Sequence, residues 1–324
     1  MHSRTRIPVK AAVAALLLAM GAGAQAQTWP SKPIRVVVPA VAGSAVDTGM
    51  RRVAPKLADA LGQPVVIENR PGGNSAIGAR DVARSPADGH TLLHANINNA
   101  FNDLLSPDPC CRLNQELVAV TRIFSSPMVF VVNPSVAATS LREYLELAKG
   151  KPNGVTYASG GTGSLTQLVG ETVKATGGVS LSEVPYKSIG AEVPDLLAGH
   201  VMTGFLAPSA VVQHVRAGRL RALAVADRQR LTMLPDVPTM AEAGMPVEAT
   251  GWNGLYAPAG TPEPVLRRLQ QEVARAMTAQ DIRNDAVTNG WVLGGESPEV
   301  FTAYVRAELA KWGKVIRDAN IKLQ

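Results

Sequence analysis

The segment VTYASGGTGSLTQLVG, from Val155 to Gly170, contains the pattern that decides the fold. Its β-branched and aromatic start predicts a strand, and the apolar spacing after Ser164 predicts a helix. A loop rich in Gly, Ser and Thr joins the two. Such loops hold phosphates in nucleotide enzymes and carboxylates in receptors, because a helix N-terminus offers unpaired N–H groups and a positive dipole end. The segment therefore predicts an α/β unit that can bind an anion.

A second segment, IRVVVPAVAGSAVDTGM from Ile34 to Met50, has the same order of strand, small-residue loop and helix. It lies in the other half of the chain. Two such units facing each other across a cleft would direct two helix N-termini at one ligand, which favours an anionic ligand. Pro55 falls in the helix that follows, so we expect a kink there or a late helix start.

The alternation of strands and helices continues along most of the chain. PVVIENR, HTLLHAN, PMVFVVN and LRALAVA read as strands, and helical patterns lie between them. After GWNGLYAPAG the chain becomes strongly helical. This order predicts an α/β fold with mostly parallel sheets and helices on both faces.

We interpret the first 26 residues as a secretion signal. Arg4, Arg6 and Lys10 form a positive leader, AAVAALLLAM is an apolar core too short to span a bilayer, and AQA fits a cleavage site. We expect cleavage after Ala26 and export. Removing 26 of 324 residues leaves 298, enough for about two domains of common size.

Charge and cysteine content exclude several classes of protein. The formal net charge is +6, half of it from the three leader cations, and no basic run is interleaved with aromatic residues, so we expect no nucleic-acid partner. Cys110 and Cys111 are neighbours, and a Cα spacing of about 3.8 Å is below the usual disulfide range. We interpret them as loop thiols or an incidental vicinal disulfide, with an intermolecular bridge as the alternative.

Cofactor motifs are incomplete. Gly161 and Gly163 form G-x-G, but Thr166 stands where a dinucleotide fingerprint has its third glycine, and a Walker A motif is missing. On one strand, His90 and His94 would lie about 13 Å apart, too far to share a zinc ion, and no cluster of Cys or carboxylates completes a site. We therefore expect neither a cofactor nor a metal.

Nucleophilic catalysis has weak support. Ser44 and Ser164 lie in Gly-containing loops, but neither belongs to G-x-S-x-G or S-x-x-K. Folding could still bring a histidine to one of them, so a serine hydrolase remains an alternative. Asp47, at a helix start, is most simply a capping residue. Binding without covalent change is the favoured mechanism, and we expect the protein not to be an enzyme.

Several blocks of sequence, in order, resemble one family. WPSKPIRVVVPAVAGSAVD, LGQPVVIENRPGGNSAIGARDVARSPADGHTLL, YASGGTGSLTQL, VPYKSIGAEVPDLLAGHV and LPDVPTMAEAGMP are similar to the Bug/TctC family, the extracytoplasmic receptors of tripartite tricarboxylate transporters. The resemblance spans the mature chain. It implies a periplasmic, two-lobe, flytrap-like protein whose lobes close on a small carboxylate. It also implies membrane permease subunits as partners, or a membrane sensor as the alternative.

The resemblance also implies which residues hold the ligand. Backbone amides of two loops, helped by waters, would bind a carboxylate. The first loop comprises Ala40, Val41, Ala42, Gly43, Ser44 and Ala45, with Asp47 behind it. The second comprises Ser159, Gly160, Gly161, Thr162, Gly163 and Ser164, with its donors expected from Gly161 to Ser164. Asn96, Asn98, Leu206, Ala207 and Pro208 would line the rest, and Ala40, Val41, Ile97 and Leu206 would form an apolar wall.

The expected organisation follows from the same resemblance. Lobe 1 comprises residues 27–126 and 251–324, lobe 2 comprises residues 127–250, and the crossings near 125–128 and 250–253 act as hinges. We expect a monomer that binds an aliphatic or aromatic mono- or dicarboxylate.

Three positions depart from the family pattern. Ser44 replaces the second of two paired glycines, Gln167 replaces a common His, and Leu206 replaces an Asp. If that acid would meet a ligand ammonium, its loss disfavours an amino-acid ligand.

Overall fold

The computed structural model of the protein describes residues 29–106, 111–151, 153–186 and 189–321. The expected signal peptide and Cys110 lie outside these residues. Within them, no helix combines the length and apolar character needed to cross a membrane.

The described residues form two β-sheets. The strands of the first are β1 (Ile34–Val38), β2 (Val65–Asn69), β3 (Thr91–Asn96), β4 (Leu117–Pro127), β10 (Thr250–Pro258) and β11 (Val292–Leu293). Those of the second are β5 (Val129–Val132), β6 (Val155–Ser159), β7 (Leu181–Pro185), β8 (Thr203–Leu206) and β9 (Arg221–Val225). Their orders are β11-β4-β10-β3-β1-β2 and β7-β6-β8-β5-β9.

Helices cover the sheets. They are α1 (Ala45–Leu61), α2 (Ala76–Ala83), α3 (Ile97–Leu105), α4 (Leu141–Lys149), α5 (Leu165–Gly177), α6 (Ile189–Ala198), α7 (Pro208–Arg216), α8 (Glu263–Met277), α9 (Gln280–Asn289) and α10 (Pro298–Asp318). The helix α1 begins directly after the first loop and continues through the exposed Pro55, so the expected late start is wrong.

The α/β class with two sheets flanked by helices is confirmed, but both sheets are mixed. β2, β1 and β3 are parallel, as are β7, β6 and β8. Antiparallel pairing arises at the strands that connect the sheets, because β10 returns between β3 and β4 and pairs antiparallel with both. Strand β5 likewise pairs antiparallel with β8 and β9.

The chain passes between the sheets at two neighbouring points. Met128 separates β4 from β5, and Ala249 precedes β10. The Met128 amide donates to the carbonyl of Ala249 at 2.9 Å, and the Ala226 amide donates to the carbonyl of Met128 at 2.8 Å. The two crossings are therefore joined by backbone hydrogen bonds. The lobe limits and the hinge role of these segments stay predictions.

Aromatic side chains mark the interior of the first sheet. Trp252 and Tyr256 pack against Phe301 of α10, with ring centroids 5.5 Å apart in each case. All three side chains are fully buried. This contact holds α10 against the face of the sheet opposite α1.

Candidate functional site

Parallel strands of both sheets end in helix N-termini. In the first sheet β1 leads to α1 and β3 to α3, and in the second sheet β6 leads to α5 and β8 to α7. Because β1 pairs with β3 and β6 with β8 in parallel, these helices start at one edge of each sheet. The first turns of α3, α5 and α7 contain no acidic residue. Both edges therefore present positive dipole ends.

The first loop, defined as residues 40–47, is closed by its own hydrogen bonds. Ser44 is the N-cap of α1, and its Oγ accepts from the Asp47 amide at 3.3 Å. Gly43 has φ of 80° and donates its N–H to Oδ2 of Asp47 at 2.9 Å. The Ser44 amide donates to the carbonyl of Val41 at 3.2 Å. The left-handed conformation at Gly43, which glycine adopts without steric cost, turns its N–H towards the Asp47 side chain.

The second loop, defined as residues 160–167, has the same geometry. Ser164 is the N-cap of α5, and its Oγ accepts from the Gln167 amide at 3.2 Å. Gly163 has φ of 77° and donates its N–H to Oε1 of Gln167 at 2.8 Å. The Ser164 amide donates to the carbonyl of Gly161 at 3.1 Å. The two loops thus match residue for residue in their backbone hydrogen bonds at the helix start.

Three equivalent amides in each loop have no hydrogen-bond acceptor among the described residues. They belong to Ala42, Ala45 and Val46 in the first loop, and to Thr162, Leu165 and Thr166 in the second. Each set consists of one amide before the glycine and two from the first helical turn. These six N–H groups are the donors that the two loops offer to an anion.

This finding corrects the expected donor run from Gly161 to Ser164. The Gly161 amide donates to Oγ of Ser159 at 3.0 Å, and the amides of Gly163 and Ser164 close the loop. Of the four, the Thr162 amide alone has no acceptor among the described residues. The Gly160 amide is also engaged, because it donates to Oγ1 of Thr166 at 2.8 Å.

One carboxylate and one amide side chain support each loop. In the first loop the helix carries the carboxylate and the strand the amide, and in the second loop the helix carries the amide and the strand the carboxylate. In the first loop the carboxylate of Asp47 on α1 accepts from Nδ2 of Asn69 in β2 at 2.9 Å. In the second, Gln167 on α5 donates through Nε2 to Oε2 of Glu183 in β7 at 3.0 Å. These supporting strands are the parallel neighbours of β1 and β6. Gln167, which was expected to depart from the family pattern, is therefore part of the support of the second loop.

Asp47 is ionised at neutral pH. Its burial raises the carboxyl pKa, but hydrogen bonds from Arg51, Gly43 and Asn69 outweigh burial and hold the pKa below its usual value of 3.8. Nε of Arg51 lies 2.9 Å from Oδ2, so the charge at the start of α1 is balanced. Asp47 therefore supports the loop, and its negative charge does not face an anion unpaired.

His94 lies in β3 near Asp47 and is fully buried. Burial lowers its pKa to about 3, although the charge of Asp47 acts in the opposite direction. The imidazole is therefore neutral at physiological pH. Neither of its ring nitrogens has a hydrogen-bond partner among the described residues, and the ring centroid lies 6.4 Å from that of Phe124.

Asn96 and Asn98 lie at the start of α3 and have different surroundings. Asn96 is the N-cap, its Oδ1 accepts from the Asn98 amide at 2.9 Å, and its Nδ2 donates to Oγ of Ser75 at 3.3 Å. Asn99 completes the capping box. The Asn96 side chain is thus occupied by structural bonds, whereas that of Asn98 is partly exposed. Their role towards a ligand stays a prediction.

Half of the expected apolar wall is buried in the protein interior. Leu206 exposes 2% of its surface and packs with Val129 and Ala158 in the core of the second sheet. Ile97 exposes 6%, while Val41 exposes 62%. Ala207 is the N-cap of α7 and Pro208 is its first residue. Of the four expected wall residues, Val41 is thus exposed and Ala40 partly exposed, whereas Leu206 and Ile97 face inwards.

The two loop serines have structural partners. The hydroxyls of Ser44 and Ser164 accept the capping hydrogen bonds of α1 and α5, and that of Ser164 also lies 3.2 Å from Oγ1 of Thr166. Neither hydroxyl contacts a histidine within the described part of the chain. Among the described residues, neither serine therefore has an adjacent histidine that could act as its base.

The sequence reasoning missed Asn69 and Glu183, which support the loops from neighbouring strands. Both positions carried a detectable signal. Asn69 is the polar residue that ends an apolar strand, and Glu183 is the acid within the short strand LSEVP. A polar residue beside the carboxyl end of the central parallel strand lies close enough to reach the loop that follows that strand.

A cavity of about 550 Å³ lies away from both loops. Its walls include Asn114, Val118, Leu266, Arg267 and Arg306. Val118 is near the start of β4, whereas the crossing to the second sheet follows the end of that strand. At about 3.3 Å per residue, the distance along β4 from Val118 to Ser126 is about 26 Å. The cavity is therefore at the far end of the first sheet and is not part of the candidate site.

Comparisons with known proteins agree with this geometry. The model of the tripartite tricarboxylate transporter family receptors matches residues 50–321. Protein BugT of Bordetella pertussis is 34% identical over 313 residues, which cover 94% of each chain. Rpa4515 of R. palustris, solved with adipate, has a TM-score of 0.80 at 31% identity, covering 91% of this chain and 99% of its own. MatC from Rhodopseudomonas palustris, with bound malate, has a TM-score of 0.78 at 28% identity, covering 89% and 100%.

Proposed function

Because the chain belongs to the tripartite tricarboxylate transporter receptor family, whose members are periplasmic solute-binding proteins, we propose that it captures a small carboxylate between its first and second loops. The ligand is an organic acid with an aliphatic or aromatic skeleton. Relatives of the same fold that were solved with adipate and with malate support a carboxylate ligand.

The observation that supports this proposal is the matched set of six unpaired amides. Three amides in each loop lie at the positive end of a helix and have no acceptor within the described residues. A carboxylate has two oxygens that accept several hydrogen bonds, and bonds of this charge-assisted kind are about twice as strong as neutral ones. Leaving the amides unpaired in a closed cleft would cost free energy, so a closed cleft favours an anion there.

Closure and delivery complete the proposal. We propose that lobe 1 (residues 27–126 and 251–324) and lobe 2 (residues 127–250) move about the two joined crossings at Met128 and Ala249. A ligand that contacts both loops binds the closed form better than the open form and shifts the population towards it. The closed form delivers the acid to membrane permease subunits of the tripartite type. Cleavage after Ala26 would release the receptor into the periplasm.

The test is titration of the purified mature protein with a panel of mono- and dicarboxylates. Calorimetry should show saturable binding of at least one acid, and X-ray scattering of that complex should show a smaller radius of gyration. Amines and inorganic phosphate serve as control ligands. Binding of these controls alone, or of no acid in the panel, would contradict the proposal.

A loop variant tests where the acid binds. Gly163→Val places a β-branched side chain at φ of 77°, which distorts the second loop and its donors. We expect a folded protein that has lost stabilisation by the acid. A variant that keeps the full response to the acid would show that the second loop is an ordinary strand-to-helix turn.

A further inference from the structure

Ser126 and Asn253 lie diagonally across the β4–β10 pair on one face of the first sheet, where the chain crosses to the second. In the register of β4 and β10, Gly251 is opposite Ser126 and Asn253 is opposite Phe124. In the register of β10 and β3, Asn253 is opposite Asn96. Side chains at alternate positions of a strand share a face. Ser126, Gly251 and Asn253 therefore share one face.

Both side chains hold polar atoms that the fold leaves unsatisfied. Oγ of Ser126 and Oδ1 of Asn253 are buried and have no hydrogen-bond partner among the described residues. Each residue exposes 8% of its surface, so each is more than nine-tenths buried but retains an accessible edge. Most buried polar groups are paired, so two neighbouring exceptions call for a ligand or a bound water.

This polar pair lies level with the first turn of α1. Gly49, one turn into α1, is so close to Phe124 that an added Cβ would lie 2.2 Å from the ring. Ser126 is two strand residues beyond Phe124, about 6.6 Å, and the first residues of α1 are one turn beyond Gly49, about 5.4 Å. Ser126 and Asn253 therefore lie at the height of the unpaired amides of α1.

The second loop borders the same face. A Cβ added to Gly251 would lie 3.8 Å from Cδ2 of Leu165 and 3.5 Å from Cε of Met128. Leu165 is the first residue of α5 and carries one of the unpaired amides of the second loop. The face that carries Ser126 and Asn253 is thus bordered by the start of α1 and by the start of α5.

We propose that Ser126 and Asn253 form a neutral polar subsite that binds the hydroxyl group of the ligand, so that the ligand is a hydroxy acid. This inference rests on the proposed capture of a carboxylate by the two loops. A hydroxyl group donates one hydrogen bond and accepts others. It can donate to Oδ1 of Asn253 and accept from the Ser126 hydroxyl, which satisfies both unpaired atoms at once.

The charges around the pair favour a hydroxyl over a second carboxylate. Other polar side chains of this face include Asn96 and Asn69, which are occupied by hydrogen bonds, and His94, which is buried and neutral. The nearest acid on the packed helix is Asp47, whose partner Arg51 is already engaged. Among the described residues of this face, a second carboxylate would meet uncharged groups and no unpaired cation. A hydroxyl needs no counter-charge, and the carboxylate of the same ligand is left for the loop amides.

The experiment compares hydroxy acids with the same acids lacking the hydroxyl, in the mature protein. The pairs are malate and succinate, 3-hydroxybutyrate and butyrate, and mandelate and phenylacetate. We expect at least one hydroxy acid to bind about tenfold or more tightly than its partner, because the deoxy acid leaves Ser126 and Asn253 unpaired. Ser126→Ala and Asn253→Ala should each weaken binding of that hydroxy acid about tenfold and change binding of its deoxy partner less than about twofold.

Ser125→Ala is the matched control. Ser125 is the neighbouring residue in β4, on the opposite face of the strand, where its Oγ accepts from Nη1 of Arg122 at 3.1 Å. This variant should retain the wild-type preference, and thermal unfolding of all three variants checks that they fold. If acids bind but the hydroxyl brings no gain, or if both members of a pair weaken equally, the subsite is wrong and the proposed function stands. If no acid in either panel binds, the proposed function itself fails.

Discussion

Replacing Asp47 with Asn tests the hydrogen bonds that hold the first loop. The Asp47 side chain exposes 2% of its surface and accepts from Gly43, Asn69 and Arg51, each at 2.9 Å for its shortest contact. Asn at this position keeps one acceptor oxygen and replaces the other with an NH₂ group, which cannot accept. One of these two donors, the Gly43 amide or Nδ2 of Asn69, therefore loses its acceptor on residue 47.

The expected loss of stability follows from these contacts. A hydrogen bond to a charged group contributes about 1.5–3 kcal/mol. The Arg51 side chain is 49% exposed, so its ion pair contributes less than about 1 kcal/mol. We expect Asp47→Asn to lower the free energy of unfolding by about 2–3 kcal/mol at pH 7. Urea unfolding followed by tryptophan fluorescence measures this loss, and Asp59→Asn, an exposed change of the same charge on the same helix, is the matched control.

The pH dependence gives the same experiment a second readout. Because the pKa of folded Asp47 lies below the usual 3.8, ionisation stabilises the folded protein above pH 3.8, and that contribution is lost as the pH falls through the folded pKa. The stability difference between wild type and Asp47→Asn should therefore be constant near neutrality and shrink below about pH 4. A loss of less than about 1 kcal/mol at pH 7, or a difference that grows on acidification, would refute this reasoning.

Two further predictions concern the loops. Gln167→Glu places a carboxylate next to Glu183, whose Oε2 accepts from Gln167 at 3.0 Å in the wild type. We expect the free energy of unfolding to fall by about 1–2 kcal/mol at neutral pH and to recover on acidification, because protonation removes the repulsion. Urea unfolding that shows the same loss at every pH would contradict this prediction. Gly43 has φ of 80°, and a Cβ added there would meet open space. Gly43→Ala should therefore lower the free energy of unfolding by about 1–2 kcal/mol through backbone strain alone, and Gly43→Asn should lower it clearly less. Equal melting temperatures of these two variants would argue against strain.

Part of the candidate site could be predicted from local sequence. Strand, small-residue loop and helix follow each other directly in both segments, so the positions of Ser44 and Ser164 at helix starts depend on contacts within a few residues. Helix N-caps and left-handed glycines are local features, and their residue types are specific. The amides that stay available to a ligand were harder to predict, because the N–H groups of Gly43 and Gly163 donate to the side chains of Asp47 and Gln167.

The sequence by itself determined the α/β class, the two loops at helix starts and the family. These features follow from hydrophobic period and turn chemistry, which act over short stretches of chain. Only the tertiary structure decided that β10 runs back between β3 and β4, and that Asn69 and Glu183 support the loops. It also placed Ser126 on the same face as Asn253, diagonally across two paired strands that lie more than a hundred residues apart in the chain. Sheet order and register depend on packing between distant segments, and no local pattern of residues encodes which strand becomes the neighbour.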